Sequence, residues 1–123
     1  MKKIYVDDKA EDVEMDFLAG GMVFSADSKR LAHGGRRGDK FFLVVDGKKG
    51  TDYDALGHFG FSPDGRHIAF MARKGDKLAV VVDGQERANY SAVPSGPAFR
   101  SDGVLEFLVA DKSSLYRIEV SEF

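Results

Sequence analysis

One block of sequence occurs twice at a fixed spacing of 37 residues. Phe24-Ser25-Ala26-Asp27 returns as Phe61-Ser62-Pro63-Asp64, and the same ungapped shift carries Gly38-Asp39-Lys40 onto Gly75-Asp76-Lys77. It also carries Val44-Val45-Asp46-Gly47 onto Val81-Val82-Asp83-Gly84, and Tyr53 onto Tyr90. A third copy opens at Phe99-Arg100-Ser101-Asp102-Gly103 and continues, after a one-residue deletion, through Leu105, Phe107 and Leu108. Upstream, Tyr5-Val6-Asp7-Asp8 reads as the end of a truncated preceding copy. Units repeating at this period cannot bury an apolar face alone, so they stack.

The middle unit spells four short strands. Gly57 to Ser62 is the first, and Ser62-Pro63-Asp64-Gly65 has the residues of a tight turn. His67 to Ala72 is the second, followed by a turn at Arg73-Lys74-Gly75-Asp76. Leu78 to Val82 is apolar at every position, which requires cover on both faces. Asp83-Gly84 predicts a type I′ hairpin, which needs positive φ, and Gln85 to Val93 forms a fourth, more polar strand with Tyr90 turned inward. No segment has helical periodicity, and 14 glycines interrupt the chain too often for long helices. The first copy departs from this pattern: Ser28 stands at the turn glycine, and His33-Gly34-Gly35 replaces Phe70-Met71-Ala72. A strained turn and a bulged second strand are expected there.

A four-stranded antiparallel unit of about 40 residues is a propeller-blade pattern. Phe61-Ser62-Pro63-Asp64-Gly65-Arg66-His67-Ile68-Ala69-Phe70 resembles the FSPDGxxIAF motif of the WD40-like repeats of TolB-type propellers and of prolyl oligopeptidase N-terminal domains. The resemblance implies an all-β propeller and no particular activity, because those families use the repeat as scaffold. The units divide as a partial blade over 1–20, blades over 21–56 and 57–93, and a partial blade over 97–120. About three blades cannot close a ring, since propellers have roughly four to eight. The expectation is a homodimer closing six blades head to tail, with N-terminal strands (Ile4 to Val6, and Glu14 to Leu18) completing the partner's last blade. The alternative is a fragment of a longer propeller.

Composition narrows the function classes. The chain of 123 residues has no Cys, which excludes disulfides, Cys-based metal sites and a thiol nucleophile. The balance of 18 Lys+Arg against 20 Asp+Glu argues against nucleic-acid binding. Lys2-Lys3 is followed by no apolar stretch of signal-peptide type, and the longest apolar run, Phe41 to Val45, is far short of the roughly 18 residues of a membrane span. A soluble cytoplasmic chain with no membrane partner is expected.

Six cations, Arg36, Arg37, Lys40, Arg73, Lys74 and Lys77, fall on matching turns between second and third strands. They are the candidate surface for an acidic protein or anionic ligand, against the plainer reading of a solvated rim balanced by Asp39 and Asp76. Arg37-Gly38-Asp39 matches an adhesion tripeptide, but its repeat partner Lys74-Gly75-Asp76 marks it as turn chemistry. His58, on a first strand, is the candidate for the axial channel. His33, His58 and His67 lack zinc-binding spacing and are read as hydrogen-bonded structural residues. Ser25, Ser62, Asp27, Asp64, Asp46 and Asp83 recur with the repeat, so they read as turn residues rather than catalytic ones. No catalytic residue, metal or cofactor is assigned. The expected function is a non-enzymatic scaffold for protein or ligand binding; the alternative is a hydrolase or lyase with its site at the propeller axis or dimer seam.

Overall fold

The computed structural model describes residues 13–123 together with the short strands β1 (Tyr5–Val6) and β2 (Lys9–Ala10), which pair antiparallel. Ile4 of the expected N-terminal strand, and Asp7 and Asp8 of the truncated copy, lie outside the described residues. The described chain is all-β, and every strand pairing is antiparallel.

Three meandering sheets follow in chain order. The first contains β3 (Phe17–Phe24), β4 (Leu31–Arg37), β5 (Lys40–Val45) and β6 (Lys48–Lys49). The second contains β7 (Ala55–Phe61), β8 (Ile68–Lys74), β9 (Lys77–Val82) and β10 (Gln85–Tyr90). The third has three strands, β11 (Ala92–Phe99), β12 (Leu105–Asp111) and β13 (Ser114–Val120). The separate strand expected over Glu14–Leu18 does not form as such: Phe17 and Leu18 open β3, and Asp16 joins it to β4 by donating its N–H to the Arg36 carbonyl at 2.7 Å.

The second sheet is the middle layer. Ala79 and Val81 of β9 face the first sheet and pack with Leu43, Phe59 and Phe70, while Val80 and Val82 face the third and pack with Leu105, Phe107 and Val109. The continuous apolar run is therefore explained by burial on alternate faces. Each fully buried valine contributes about 1.5–3 kcal/mol of transfer free energy. A repeated aromatic pair wedges each junction: Tyr53 against Phe70, with ring centroids 6.0 Å apart, and Tyr90 against Phe107, at 5.7 Å. On the far face of the first sheet, Phe42 and Val44 are covered by Val13 and Met15.

The turns repeat as closely as the strands. Ser25 Oγ donates to Asp27 Oδ1 (2.6 Å) and accepts the Arg30 N–H (3.0 Å); Ser62 Oγ does the same with Asp64 and His67 (2.5 and 3.0 Å). Asp46 Oδ1 accepts the Leu31 N–H at 3.1 Å, and Asp83 Oδ1 the Ile68 N–H at 3.0 Å. Asp46-Gly47 and Asp83-Gly84 have φ of 51° and 80°, and 52° and 81°, the positive values a type I′ hairpin needs.

The strain expected in the first copy is present, since Ser28 has φ 63° where its counterpart Gly65 has 73°. The bulge expected in the second strand is not there: β4 pairs regularly with β5, and the irregularity lies in β3 at Gly20-Gly21, between the Ala19–Gly34 and Met22–His33 pairs. The same shift recurs 37 residues on in β7, between the Leu56–Ala72 and Phe59–Phe70 pairs, so it belongs to the repeat and not to His33-Gly34-Gly35. A Cβ on Gly34 would lie 1.9 Å from the Ala19 carbonyl oxygen, and glycine alone permits that approach.

Two substitutions test these backbone requirements. Ser28→Gly relieves a left-handed residue and should raise the unfolding free energy by about 1 kcal/mol. Gly34→Ala must push β3 from β4 and should lower it by about 3 kcal/mol or more. Urea denaturation followed by circular dichroism measures both.

Candidate functional site

All six cations singled out in the sequence are exposed, at the β4–β5 and β8–β9 turns. The two turns are tied together by Asp54, in the segment between the first two sheets. Its Oδ1 pairs with Lys40 Nζ at 2.7 Å, its Oδ2 accepts the Gly75 N–H at 2.7 Å, and its own N–H donates to the Arg73 carbonyl at 2.9 Å. Asp16 makes the matching bond on the first turn, accepting the Gly38 N–H at 2.8 Å.

Acids interleave with the cations along this rim. Arg37 pairs with Glu14 at 2.8 Å, and Lys74 lies 4.0 Å from Glu86. Arg36 donates to the Gly38 carbonyl and lies over the Phe17 and Phe41 rings, and Arg73 donates to the Gly75 carbonyl. Among the described residues, Arg36, Arg73 and Lys77 have no acid partner. The rim is thus a mixed-charge surface with three cations outside any salt bridge among the described residues, more balanced than Asp39 and Asp76 alone would make it. Asp16 and Asp54 escaped sequence reading because they are 38 residues apart, one out of step with the repeat. The signal for them was an Asp preceding an apolar pair, in Asp16-Phe17-Leu18 and Asp54-Ala55-Leu56.

The histidines separate by environment. His33 is fully buried, with Nδ1 3.3 Å from the Gly34 carbonyl oxygen. His67 is half-buried, with Nδ1 2.7 Å from Asp83 Oδ2, the place taken in the first copy by Arg30 Nε on Asp46 Oδ2 at 2.9 Å. Its ring also lies 4.8 Å from that of Phe123. His58 is exposed on β7 and lines a cavity of about 470 Å³ with Ser95, Arg100 and Glu106. Arg100 stands at the repeated serine position and gathers three acids: Asp102 at 2.5 Å, Glu119 at 2.7 Å and Glu106 at 3.6 Å. No hydrogen bond joins Ser95 to His58 among the described residues. There, too, no group of three or more His, Asp or Glu is placed to hold a metal ion.

The repeated carboxylates are held ionised by their turns. Asp27 lies below its ordinary value near 3.8 because it accepts the Ser25 hydroxyl and then the Lys29 N–H; Asp64 is lowered likewise by Ser62 and Arg66. Lys40, followed by the Gly75 N–H, lowers Asp54, which in turn raises Lys40. At the third turn the Val104 N–H and then Arg100 lower Asp102. Burial raises the Tyr53 hydroxyl, reinforced by the Glu86 carboxylate. The aspartates are spent on turn geometry.

A second cavity, of about 510 Å³, lies between the first and second sheets and was not visible in the sequence. Comparison with known proteins gives no match to any family model, curated protein or solved structure. Among the described residues, no helix is long and apolar enough to cross a membrane.

The depressed carboxylates fix the sign of the acid response. Their stabilisation is complete above the unfolded value and disappears as pH falls through the folded ones. The urea midpoint should therefore hold above about pH 5 and fall steeply below about pH 4. Ser25→Ala with Ser62→Ala, which removes the largest cause at Asp27 and Asp64, should shrink that acid-dependent drop. An undiminished drop would show that these bonds do not set it.

Proposed function

We propose that the chain is a non-enzymatic β-propeller scaffold of WD40-like blades that binds protein or ligand through its loop faces. The observation that carries this reading is the repetition of one turn chemistry in register. The same Ser–Asp bonds and the same Asp–Gly hairpins recur in the first two sheets, with residues 37 apart. Repetition of this kind supports scaffold use, because a catalytic constellation breaks the symmetry of its repeat.

The ends of the stack support ring closure by a second copy. β13 is an edge strand with Leu115 62% and Tyr116 51% exposed. At the other end, edge strand β3 exposes Phe17 and Phe24 at 54% and 58%, with Leu18 and Met22 beside them. Bare strands carrying large apolar side chains are an association hazard unless covered. A cytoplasmic homodimer of six blades would cover both. The rim of Arg36, Arg37, Lys40, Arg73, Lys74 and Lys77 is then the face for an acidic protein or anionic ligand, with Arg36, Arg73 and Lys77 outside any salt bridge among the described residues.

Light scattering of the purified chain tests closure. The dimer predicts twice the 13.5 kDa of one chain, and a well-behaved monomer would overturn it. Reversing Arg36, Arg37, Arg73 and Lys74 to Glu should abolish binding to an acidic peptide while leaving the circular dichroism spectrum unchanged. Undiminished binding would refute the rim as the partner surface.

A further inference from the structure

The described chain holds a fourth strand without a sheet and a sheet without a fourth strand. In the first two sheets the outermost strand follows the third through an Asp–Gly turn. Its opening residue pairs with the valine before that turn, Lys48 with Val45 in β6 and Gln85 with Val82 in β10. β2 opens in the same way. Lys9 pairs with Val6 and Ala10 with Tyr5, as Lys48 pairs with Val45 and Lys49 with Val44. β2 therefore has the place of a fourth strand and β1 that of a third, but the two form a sheet of their own. The third sheet is the complement: among the described residues, β13 has no strand on its outer side.

Met15 extends the correspondence. It precedes Asp16 as Tyr53 precedes Asp54, and the two aspartates make matching bonds to the rim turns. Tyr53 and Tyr90 end their fourth-strand lines opposite Phe41 and Leu78. The span from Lys9 to Met15 is one residue longer than Lys48 to Tyr53 or Gln85 to Tyr90, which a single bulge absorbs.

The partners on β13 follow by counting. Phe41 and Leu78 are the second residues of β5 and β9, and Val45 and Val82 the sixth. In β13 these places are Leu115 and Glu119. Leu115 is 62% exposed, where Phe41 and Leu78 are half-buried. The same count sets Glu119 opposite Lys9, a cross-strand pair of opposite charge, which favours pairing.

We propose that β13 of one copy takes the place of β1 beside β2 of another, so that β2 becomes the fourth strand of the other copy's third sheet. Lys9 of one copy then stands opposite Glu119 of the other, and Ala10 opposite Ile118. β1, with two residues, is the placeholder that β13, with seven, displaces. The inference rests on the ring closure proposed above and names the strand that performs it.

The chain has no cysteine, so engineered pairs report the register directly. Lys9→Cys with Glu119→Cys, and Ala10→Cys with Ile118→Cys, place thiols on neighbouring pairs. One of two neighbouring antiparallel pairs is the closer, non-hydrogen-bonded kind, with Cβ atoms within disulfide reach. Lys9→Cys with Ser114→Cys is the control, out of register by about 16 Å along β13. Under mild oxidation at least one matched pair should give at least about tenfold more covalent dimer than the control. Non-reducing electrophoresis and mass spectrometry read the yield, and circular dichroism checks the fold. Control-level yield from both matched pairs would overturn the proposal. So would a disulfide within one chain, which would make β2 the fourth strand of its own third sheet. Light scattering separates this from closure itself. A wild-type dimer whose matched pairs fail to cross-link overturns the strand assignment alone. A ladder of covalent multimers supports the exchange of β2 and overturns the six-bladed ring. A wild-type monomer whose variants form no cross-link overturns both.

Discussion

The architecture depends on a middle strand that has no solvent face. In β9, Ala79 and Val81 point into one inter-sheet core while Val80 and Val82 point into the other. Such a strand is stable only with a sheet on either side, so the second sheet cannot exist without its neighbours. The tyrosine–phenylalanine pairs at the two junctions, Tyr53 with Phe70 and Tyr90 with Phe107, show that the chain solves this packing problem twice in one way. Everything at the surface, including the rim turns and the inter-sheet cavity, is positioned by this layered core.

Local chemistry made much of the fold legible. The Asp–Gly hairpins, the Ser–Asp turns and the apolar β9 follow from residues that have few other uses in such a pattern. Ser28 was readable as strained because its repeat partner is Gly65. Less legible were the features that arise between strands. The bulge at Gly20-Gly21 in β3 has its counterpart at Gly57-His58 in β7, and the close approach at Gly34 is to the Ala19 carbonyl of the partner strand. A one-strand reading cannot locate a two-strand conflict.

The same holds for the candidate sites. The six rim cations were placed on their turns by the repeat, but the pairing of Arg37, Lys40 and Lys74 with Glu14, Asp54 and Glu86 was not. These acids come from outside the turns, and chain folding alone brings them there. The cavity between the first two sheets is a further case. Only the structure shows that β6 ends after two residues, Lys48–Lys49, beside the cavity. Both features arise where the copies diverge, and there pattern reading has least to work with.

The exposed strands β3 and β13 bear on what any joining of copies through them would produce. They are unlike surfaces, so a contact between them would be heterologous, each copy offering its first edge to another's last. An interface of that kind terminates only when the accumulated rotation returns to its origin. Otherwise it propagates as a helical filament. In such an assembly the rotation from one sheet to the next, across a core that includes Ala72 and Ala79, would decide between a discrete particle and a fibre.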